Sequence, residues 1–199
     1  LGEVQRIVSR LTRAARATRD PWFVYVYEDK KFKNAAATRG NHVFVWTALL
    51  DYTKTEAELA TVISHEIAHV LTGHTDPDPN TTMKQLLIGI GASLAGNAAG
   101  SGYAGITSSL TQEIGSGILV YPYAREKEYE ADQVGLFIMA DAGYNPSAAI
   151  NFWKRAERDP SFASGIEFFS THPPARGRLN KLESMLPLAK ERYLKKVNN

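Results

Sequence analysis

The chain has 199 residues, of which 44% are hydrophobic, so it is long enough to bury a core and is predicted to form a single domain over residues 1–199. Its 23 basic and 21 acidic side chains leave a net charge of +2, which is too close to neutrality to indicate nucleic-acid binding. Cysteine is absent, so disulfides are excluded and any metal must be held by His, Asp or Glu.

The first predicted element is a basic helix over residues 1–20, which Asp20-Pro21 ends. Its arginines recur every three or four residues, so on a helix they form one stripe that faces either solvent or anionic lipid. The members of the stripe are Arg6, Arg10, Arg13, Arg16 and Arg19. A small β-sheet is predicted next, within residues 22–50, because 22–27 and 42–47 are rich in aromatic and β-branched residues.

Helices are predicted for most of the remaining chain. Residues 55–73 begin with a capping box, in which Thr55 caps the Glu58 amide, and end at Gly73. Residues 124–142 form a second helix. Further helices are predicted from Asn145 to about Arg158 and after Pro173-Pro174, with Pro187 interrupting or kinking the last one.

An almost uncharged segment, residues 82–118, separates the two main helices. Residues 85–112 carry no charged side chain, but their strongly apolar part stops near Gly96. A membrane span needs about 20 predominantly apolar residues. The segment is therefore predicted to be a buried or loosely ordered helical hairpin, with membrane insertion as the alternative. Together these patterns predict an α+β fold that is mainly helical, with a small N-terminal β-sheet beside the 55–73 helix.

A metal-binding pattern lies inside the 55–73 helix, where residues 65–69 read HEIAH. Residues four apart share one face of a helix, so the imidazoles of His65 and His69 can reach one ion. Zinc favours such nitrogen ligands and, in catalytic sites, takes three protein ligands and a water. Glu66, beside them, can take a proton from that water during attack on a carbonyl. A chance pair of helical histidines is the alternative, so a third ligand decides between the two.

The 124–142 helix offers that third ligand. Glu128 and Asp132 lie one turn apart on one face, so Glu128 can complete the zinc shell while Asp132 accepts the other ring N–H of a ligand histidine. Glu126 and Glu130 are competing carboxylates, but they point about 100° or more away on the helix.

One zinc ion per chain is therefore predicted, with His65, His69 and Glu128 as ligands and Glu66 as the catalytic base. Cobalt or manganese would suit the same ligands. A surface helix with charges at i,i+4 is the alternative interpretation of the Glu128 segment.

The segments HEIAH and EYEAD together resemble the family of the CaaX prenyl endopeptidases and their bacterial heat-shock and envelope quality-control relatives, which are gluzincin zinc metallopeptidases. The resemblance spans residues 34–178, and it implies a zincin-like metallopeptidase fold with the same ligands and base. The other segments that carry it are Asn34-Ala35, Gly40 and Leu49-Leu50, similar to the family's N-A…G…L-L strand, and His172-Pro173-Pro174 with Arg178, similar to its H-P-P-x-x-x-R motif.

The resemblance makes His172 and Arg178 candidate catalytic residues. A cation or N–H donor opposite the zinc would stabilise the oxyanion of a tetrahedral intermediate. In some envelope members of the family the matching histidine instead ligates zinc and holds the enzyme shut, and a structural role for His172 at a helix start is the third option. The remaining histidines, His42 and His74, are predicted to be structural or surface residues; His74 follows the helix-ending Gly73.

A zinc-dependent endopeptidase that cleaves extended or misfolded polypeptide is the first functional hypothesis. Residues 42–47 are expected to form an edge strand that receives substrate through main-chain hydrogen bonds. The lack of convincing membrane spans resembles the family's soluble, envelope-facing branch. That branch implies unfolded or misassembled envelope proteins as partners, a location in the bacterial periplasm or cell envelope, and peripheral contact with the membrane.

Two other functions share the same residues. A chaperone-like or latched zinc protein with little basal proteolysis is one, although Glu66 argues against it because a structural zinc site needs no base. Hydrolysis of a non-peptide amide is the other, since it would use the same metal chemistry.

Overall fold

The computed structural model of the protein describes residues 1–76, 125–160, 172 and 177–198. The predicted hairpin at 82–118 lies outside these residues. Nearly all of the described residues belong to one compact unit, Leu1–Thr75 with Pro122–Asn199, and the single-domain organisation stays a prediction. The elements of the described part are α1 (Gly2–Ala14), β1 (Phe23–Tyr27), β2 (Ala35–Thr38), β3 (His42–Trp46), α2 (Thr47–Tyr52), α3 (Glu56–Leu71), α4 (Arg125–Asp141), α5 (Ser147–Ala156) and α6 (Arg178–Val197).

This set of elements confirms the predicted α+β class, mainly helical with a small N-terminal sheet. The core is formed where α3 packs against α1, α4, α5 and the sheet. Helix α6 runs from Arg178 through Pro187 to Val197, so the predicted interruption at Pro187 is absent. No helix in the described ranges is both long enough and apolar enough to cross a membrane.

The first helix is shorter than predicted. Helix α1 ends at Ala14, because Arg16 adopts a left-handed backbone conformation with φ of 55° and the Ala17 N–H donates to the Thr12 carbonyl over 2.8 Å. Glycine is the usual residue in this conformation, so the sequence gives no signal that the helix ends here. Arg16 and Arg19 lie beyond the helix, and the predicted stripe of five helical arginines is wrong.

Arg10 is exposed, as a solvent-facing arginine is expected to be, and it also makes specific contacts. Its Nη2 donates to the Ala142 carbonyl over 2.8 Å, and its guanidinium carbon lies 4.2 Å from the centroid of the Tyr144 ring. Arg10 therefore links α1 to the segment that follows α4 while its side chain stays 47% exposed.

The sheet has the strand order β1-β3-β2, with β1 parallel and β2 antiparallel to β3. Strand β3 is thus paired on both sides, and the prediction that residues 42–47 form an edge strand is wrong. Strand β2 was not predicted, because its residues, AAAT, are mostly alanines, which have low β propensity. One face of the sheet buries β2 and the valines of β3, whereas the other carries a stack of aromatic rings from Phe23, Tyr25, Tyr27, His42, Phe44 and Trp46.

Helix α3 begins with the expected cap. The Thr55 hydroxyl accepts the Glu58 N–H, while the Glu58 carboxylate accepts the Lys54 N–H over 2.8 Å and pairs with Arg155 of α5 at 2.6 Å. Burial would raise the pKa of Glu58, but the hydrogen bonds from Arg155 outweigh it and lower that pKa, so Glu58 stays ionised. This contact fixes the start of α3 against α5.

Helix α4 approaches α3 closely at Gly135. A Cβ atom added there would lie 2.9 Å from the backbone nitrogen of His65, so only glycine permits this packing distance. Asp132 and Glu128 lie one and two turns before Gly135 on α4. The close approach therefore brings both carboxylates next to the histidines of α3.

Candidate metal centre

Four buried side chains converge between α3 and α4: His65, His69, Glu128 and His172. The two Nε2 atoms of His65 and His69 lie 3.1 Å apart. The carboxylate oxygens of Glu128 lie 3.4 Å from Nε2 of His65 and 3.3 Å from Nε2 of His69. Nδ1 of His172 completes the group, at 3.2 Å from Nε2 of His65 and 3.0 Å from Oε1 of Glu128.

These spacings fit a tetrahedral zinc ion. Zinc bonds to nitrogen and oxygen are about 2.0–2.1 Å long, which places tetrahedral ligands about 3.3 Å from one another. The donor atoms of the four residues are separated by 3.0–3.4 Å in the pairs given above. Three imidazole nitrogens and a carboxylate directed at one point are a donor set that suits zinc. The three predicted ligands are thus brought together, with His172 in the fourth position.

Asp132 and Arg178 contact the ligand side chains without belonging to the group of donor atoms. Oδ1 of Asp132 lies 3.0 Å from Nδ1 of His65, where it can accept the ring N–H. Arg178 is buried and donates to both Asp132 oxygens over 2.7 and 2.8 Å, and its Nη1 lies 2.8 Å from Oε2 of Glu128. The guanidinium is thereby engaged by the two carboxylates, which favours a positioning role over the predicted role as an oxyanion donor.

Glu66 lies beside the four donor atoms without belonging to the group. Its Oε2 accepts the Ala37 N–H of β2 over 3.0 Å, and its Oε1 lies 3.1 Å from Nε2 of His172. The carboxylate is buried, at the point where α3 faces the sheet. Its position is that of a group able to exchange a proton with a molecule held at the centre.

Comparison with known proteins identifies the family. The model of the family described as peptidase family M48 matches residues 2–186. The chain belongs to peptidase family M48. This confirms the resemblance given by the sequence motifs, and zinc is the cofactor of this M48 metallopeptidase domain.

Two kinds of named protease are among the relatives of this M48 domain. Mitochondrial metalloendopeptidase OMA1 of Schizosaccharomyces pombe is 31% identical over 187 residues, covering 94% of this chain and 53% of the relative. The beta-barrel assembly-enhancing protease of Yersinia pestis is 27% identical over 204 residues, covering 96% of this chain and 41% of the relative. That of Escherichia coli K12 is 26% identical over 197 residues, with 92% and 40% covered. The chain therefore spans about half or less of these relatives.

The carboxylates of the centre are held in their ionised form. Burial would raise the pKa of Glu128, but the charge of His65 and hydrogen bonds from the histidines outweigh it and hold that pKa far below its usual range. Burial would also raise the pKa of Asp132, and Arg178 lowers it instead. Burial would lower the pKa of His65, yet Glu128 and Asp132 together raise it to about 9. The carboxylates thus keep their negative charge, which offsets the charge of a zinc ion.

One contact of the centre was missed by the sequence analysis. His74, predicted to be a structural or surface residue, is buried, and its Nδ1 lies 3.0 Å from Nδ1 of the ligand His69. The signal was present in Gly73, because a glycine at a helix C-terminus often turns the next residue back over the last turn. His42, by contrast, stacks on Phe23 in the aromatic face of the sheet, with ring centroids 5.0 Å apart.

Proposed function

We propose that this M48 domain is a zinc-dependent endopeptidase that hydrolyses peptide bonds of extended or misfolded polypeptides. The observation that carries the proposal is the buried group of His65, His69 and Glu128 with the carboxylate of Glu66 beside it. When bound, zinc lowers the pKa of a water molecule towards about 7 and polarises a carbonyl group. The ligand geometry and the family both support this chemistry.

Glu66 is the proton carrier of the proposed reaction. Burial would raise the pKa of Glu66, but His172 and then the two α3 histidines outweigh it and lower that pKa, so the carboxylate is ionised at neutral pH. An ionised Glu66 accepts a proton from the attacking water and then delivers it to the leaving amine. The Ala37 N–H fixes one of its oxygens, which keeps the other directed at the centre.

Strand β2 supplies an edge for extended substrate next to Glu66. Pairing in an antiparallel ladder alternates, and Ala36 pairs with Phe44 while the Trp46 N–H donates to the Asn34 carbonyl. The N–H groups of Ala35 and Ala37 therefore face away from β3, and they donate to the side chains of Asn34 and Glu66 over 2.8 and 3.0 Å. The N–H groups of Ala35 and Ala37 are thus engaged, so a polypeptide added at this edge would lie beside the centre and bond to the outward carbonyl groups of the strand, through main-chain contacts that tolerate many sequences.

Removal and restoration of zinc tests the proposal. Casein cleavage is expected to fall to background when the ion is chelated, and to return in proportion to added zinc up to one ion per chain, because the proposed reaction depends on the metal. Cleavage is measured by release of acid-soluble peptide, with a simple non-peptide amide as the comparison substrate. Metal-independent cleavage of casein, or zinc-dependent hydrolysis of the amide alone, would overturn the proposal.

The position of His172 supports a second candidate, a latched resting state. Its Nδ1 lies at the centre and its Nε2 lies 3.1 Å from Oε1 of Glu66. The same imidazole therefore occupies the fourth ligand position and contacts the proton carrier, Glu66. The ring is completely buried. In this state a water molecule and Glu66 cannot meet at the centre, so the domain has low basal activity until His172 moves away.

His172→Ala separates the two roles of this histidine. If His172 is a latch, basal casein cleavage rises, by roughly tenfold for a latched state favoured about nine to one over the open state. If it stabilises the transition state, cleavage falls. His42→Ala is the control, because His42 lies in the aromatic face of the sheet. An unchanged rate for His172→Ala would dismiss both roles and leave the residue a structural one.

We place the domain in the bacterial periplasm or cell envelope, acting on unfolded or misassembled envelope proteins with peripheral contact with the membrane. The names of the Yersinia and Escherichia relatives, which refer to β-barrel assembly, support this location. The name of the Schizosaccharomyces relative refers instead to mitochondria, so fractionation of the source cells is the direct test.

A further inference from the structure

A path of contacting side chains leads from the metal centre to the surface of the protein. His69 directs Nε2 at the centre, and its other ring nitrogen, Nδ1, lies 3.0 Å from Nδ1 of His74. Nε2 of His74 in turn lies 3.1 Å from Oε2 of Glu130 on α4. His69 and His74 are buried, whereas the Glu130 side chain is 58% exposed. The three residues form one connected path from the centre to the surface.

The end of α3 builds this path. Gly73 has φ of +74°, which turns the chain back over the last helical turn. The His74 N–H then donates to the His69 carbonyl over 2.8 Å, and the Gly73 N–H to that of Val70 over 3.1 Å, the two bonds of a Schellman motif. Because His74 is held by its backbone to the residue that it contacts through its ring, its imidazole is fixed against His69.

The protons along this path have one consistent arrangement. A neutral imidazole that binds a metal through Nε2 carries its proton on Nδ1. The Nδ1–H of His69 therefore donates to Nδ1 of His74, and the proton of a neutral His74 must lie on Nε2. That N–H donates to the carboxylate of Glu130. Each group donates to the next, from the ligand outward.

We propose that His74 and Glu130 are positioning residues for zinc, which fix the tautomer and ring orientation of His69. The two α3 ligands are then supported differently: His65 by the Asp132 carboxylate directly, and His69 by a carboxylate through a neutral imidazole. Partners of this kind contribute about 10–100-fold to metal affinity. Most of the effect belongs to the buried His74, because solvent weakens the contact of the exposed Glu130.

The test is the zinc dissociation constant of the domain, measured by competition with a chromophoric chelator at fixed pH. His74→Ala is expected to raise the constant about 10–100-fold, because His69 loses its acceptor. His74→Asn is expected to recover most of the affinity, since its amide oxygen takes the place of Nδ1. A rise of less than about twofold for His74→Ala, or equal losses in both variants, would overturn the role of His74.

The role of Glu130 has its own matched control. Glu130→Ala is expected to raise the zinc dissociation constant about threefold, a small effect because the carboxylate is exposed. Glu126→Ala removes an exposed carboxylate of the same helix and is expected to change nothing. Equal constants for these two variants would remove Glu130 from the path, and this pair remains informative if His74→Ala does not fold. Since no substrate is involved, failure here is distinguishable from failure of the proposed peptidase activity, which depends on the same zinc ion.

Discussion

Glu66→Gln is expected to abolish peptidase activity while zinc stays bound and the fold stays intact. The amide has the shape of the carboxylate and its oxygen can still accept the Ala37 N–H, so the contact with β2 persists. It cannot accept a proton from water, and general-base catalysis contributes about 10²–10⁴-fold to a rate. A loss of at least about a hundredfold in casein cleavage is therefore expected.

The measurement is best made in two backgrounds. If His172 is a latch, its contact with Glu66 lowers basal activity, so the comparison is repeated with His172→Ala, where the larger rate expected of an open centre makes the loss easier to measure. Glu126→Gln serves as the control, since Glu126 is an exposed carboxylate outside the centre. Metal analysis must show one zinc per chain in each variant. Cleavage above trace in Glu66→Gln would remove this residue from the proposed mechanism.

The local part of the centre could be predicted from the sequence because helices obey a simple period. Residues four apart on a helix share a face. His65 and His69 could therefore be assigned to one face, and Glu128 and Asp132 to another, without knowledge of the fold. The structure places each pair on one helix face and the two faces opposite each other. The contact between the two faces depends on the close packing at Gly135, which no periodicity reveals.

The parts that could not be predicted depend on backbone turns and long-range pairing. Strand β2 has little β propensity of its own and exists because β3 pairs with it. Helix α1 ends at Ala14, two residues before the left-handed Arg16, and no glycine marks the turn. Arg178 is a candidate catalytic residue by resemblance alone, and its position beside Asp132 depends on how α6 packs against α4.

Glu128→Ala is expected to cause the largest loss of zinc affinity among the variants considered. It removes a ligand, and it also leaves Nη1 of Arg178 without the carboxylate that lies 2.8 Å from it. Outer partners of a metal ligand contribute about 10–100-fold to affinity, so loss of the ligand itself is expected to exceed about a hundredfold. Positive charge from the buried Arg178 beside the centre adds to the loss, because it repels a cation.

Comparing zinc affinity among variants of the three α4 glutamates tests which of them faces the metal. Zinc dissociation constants should rise most for Glu128→Ala, slightly for Glu130→Ala and not at all for Glu126→Ala, because the first carboxylate lies at the centre, the second contacts His74 and the third is exposed. Glu128→Gln, which keeps the side-chain volume, guards against a loss caused by a cavity. If Glu128→Ala and Glu126→Ala bound zinc equally, α4 would not supply the third ligand from this position, and the carboxylate that holds the metal would have to come from another turn of the helix.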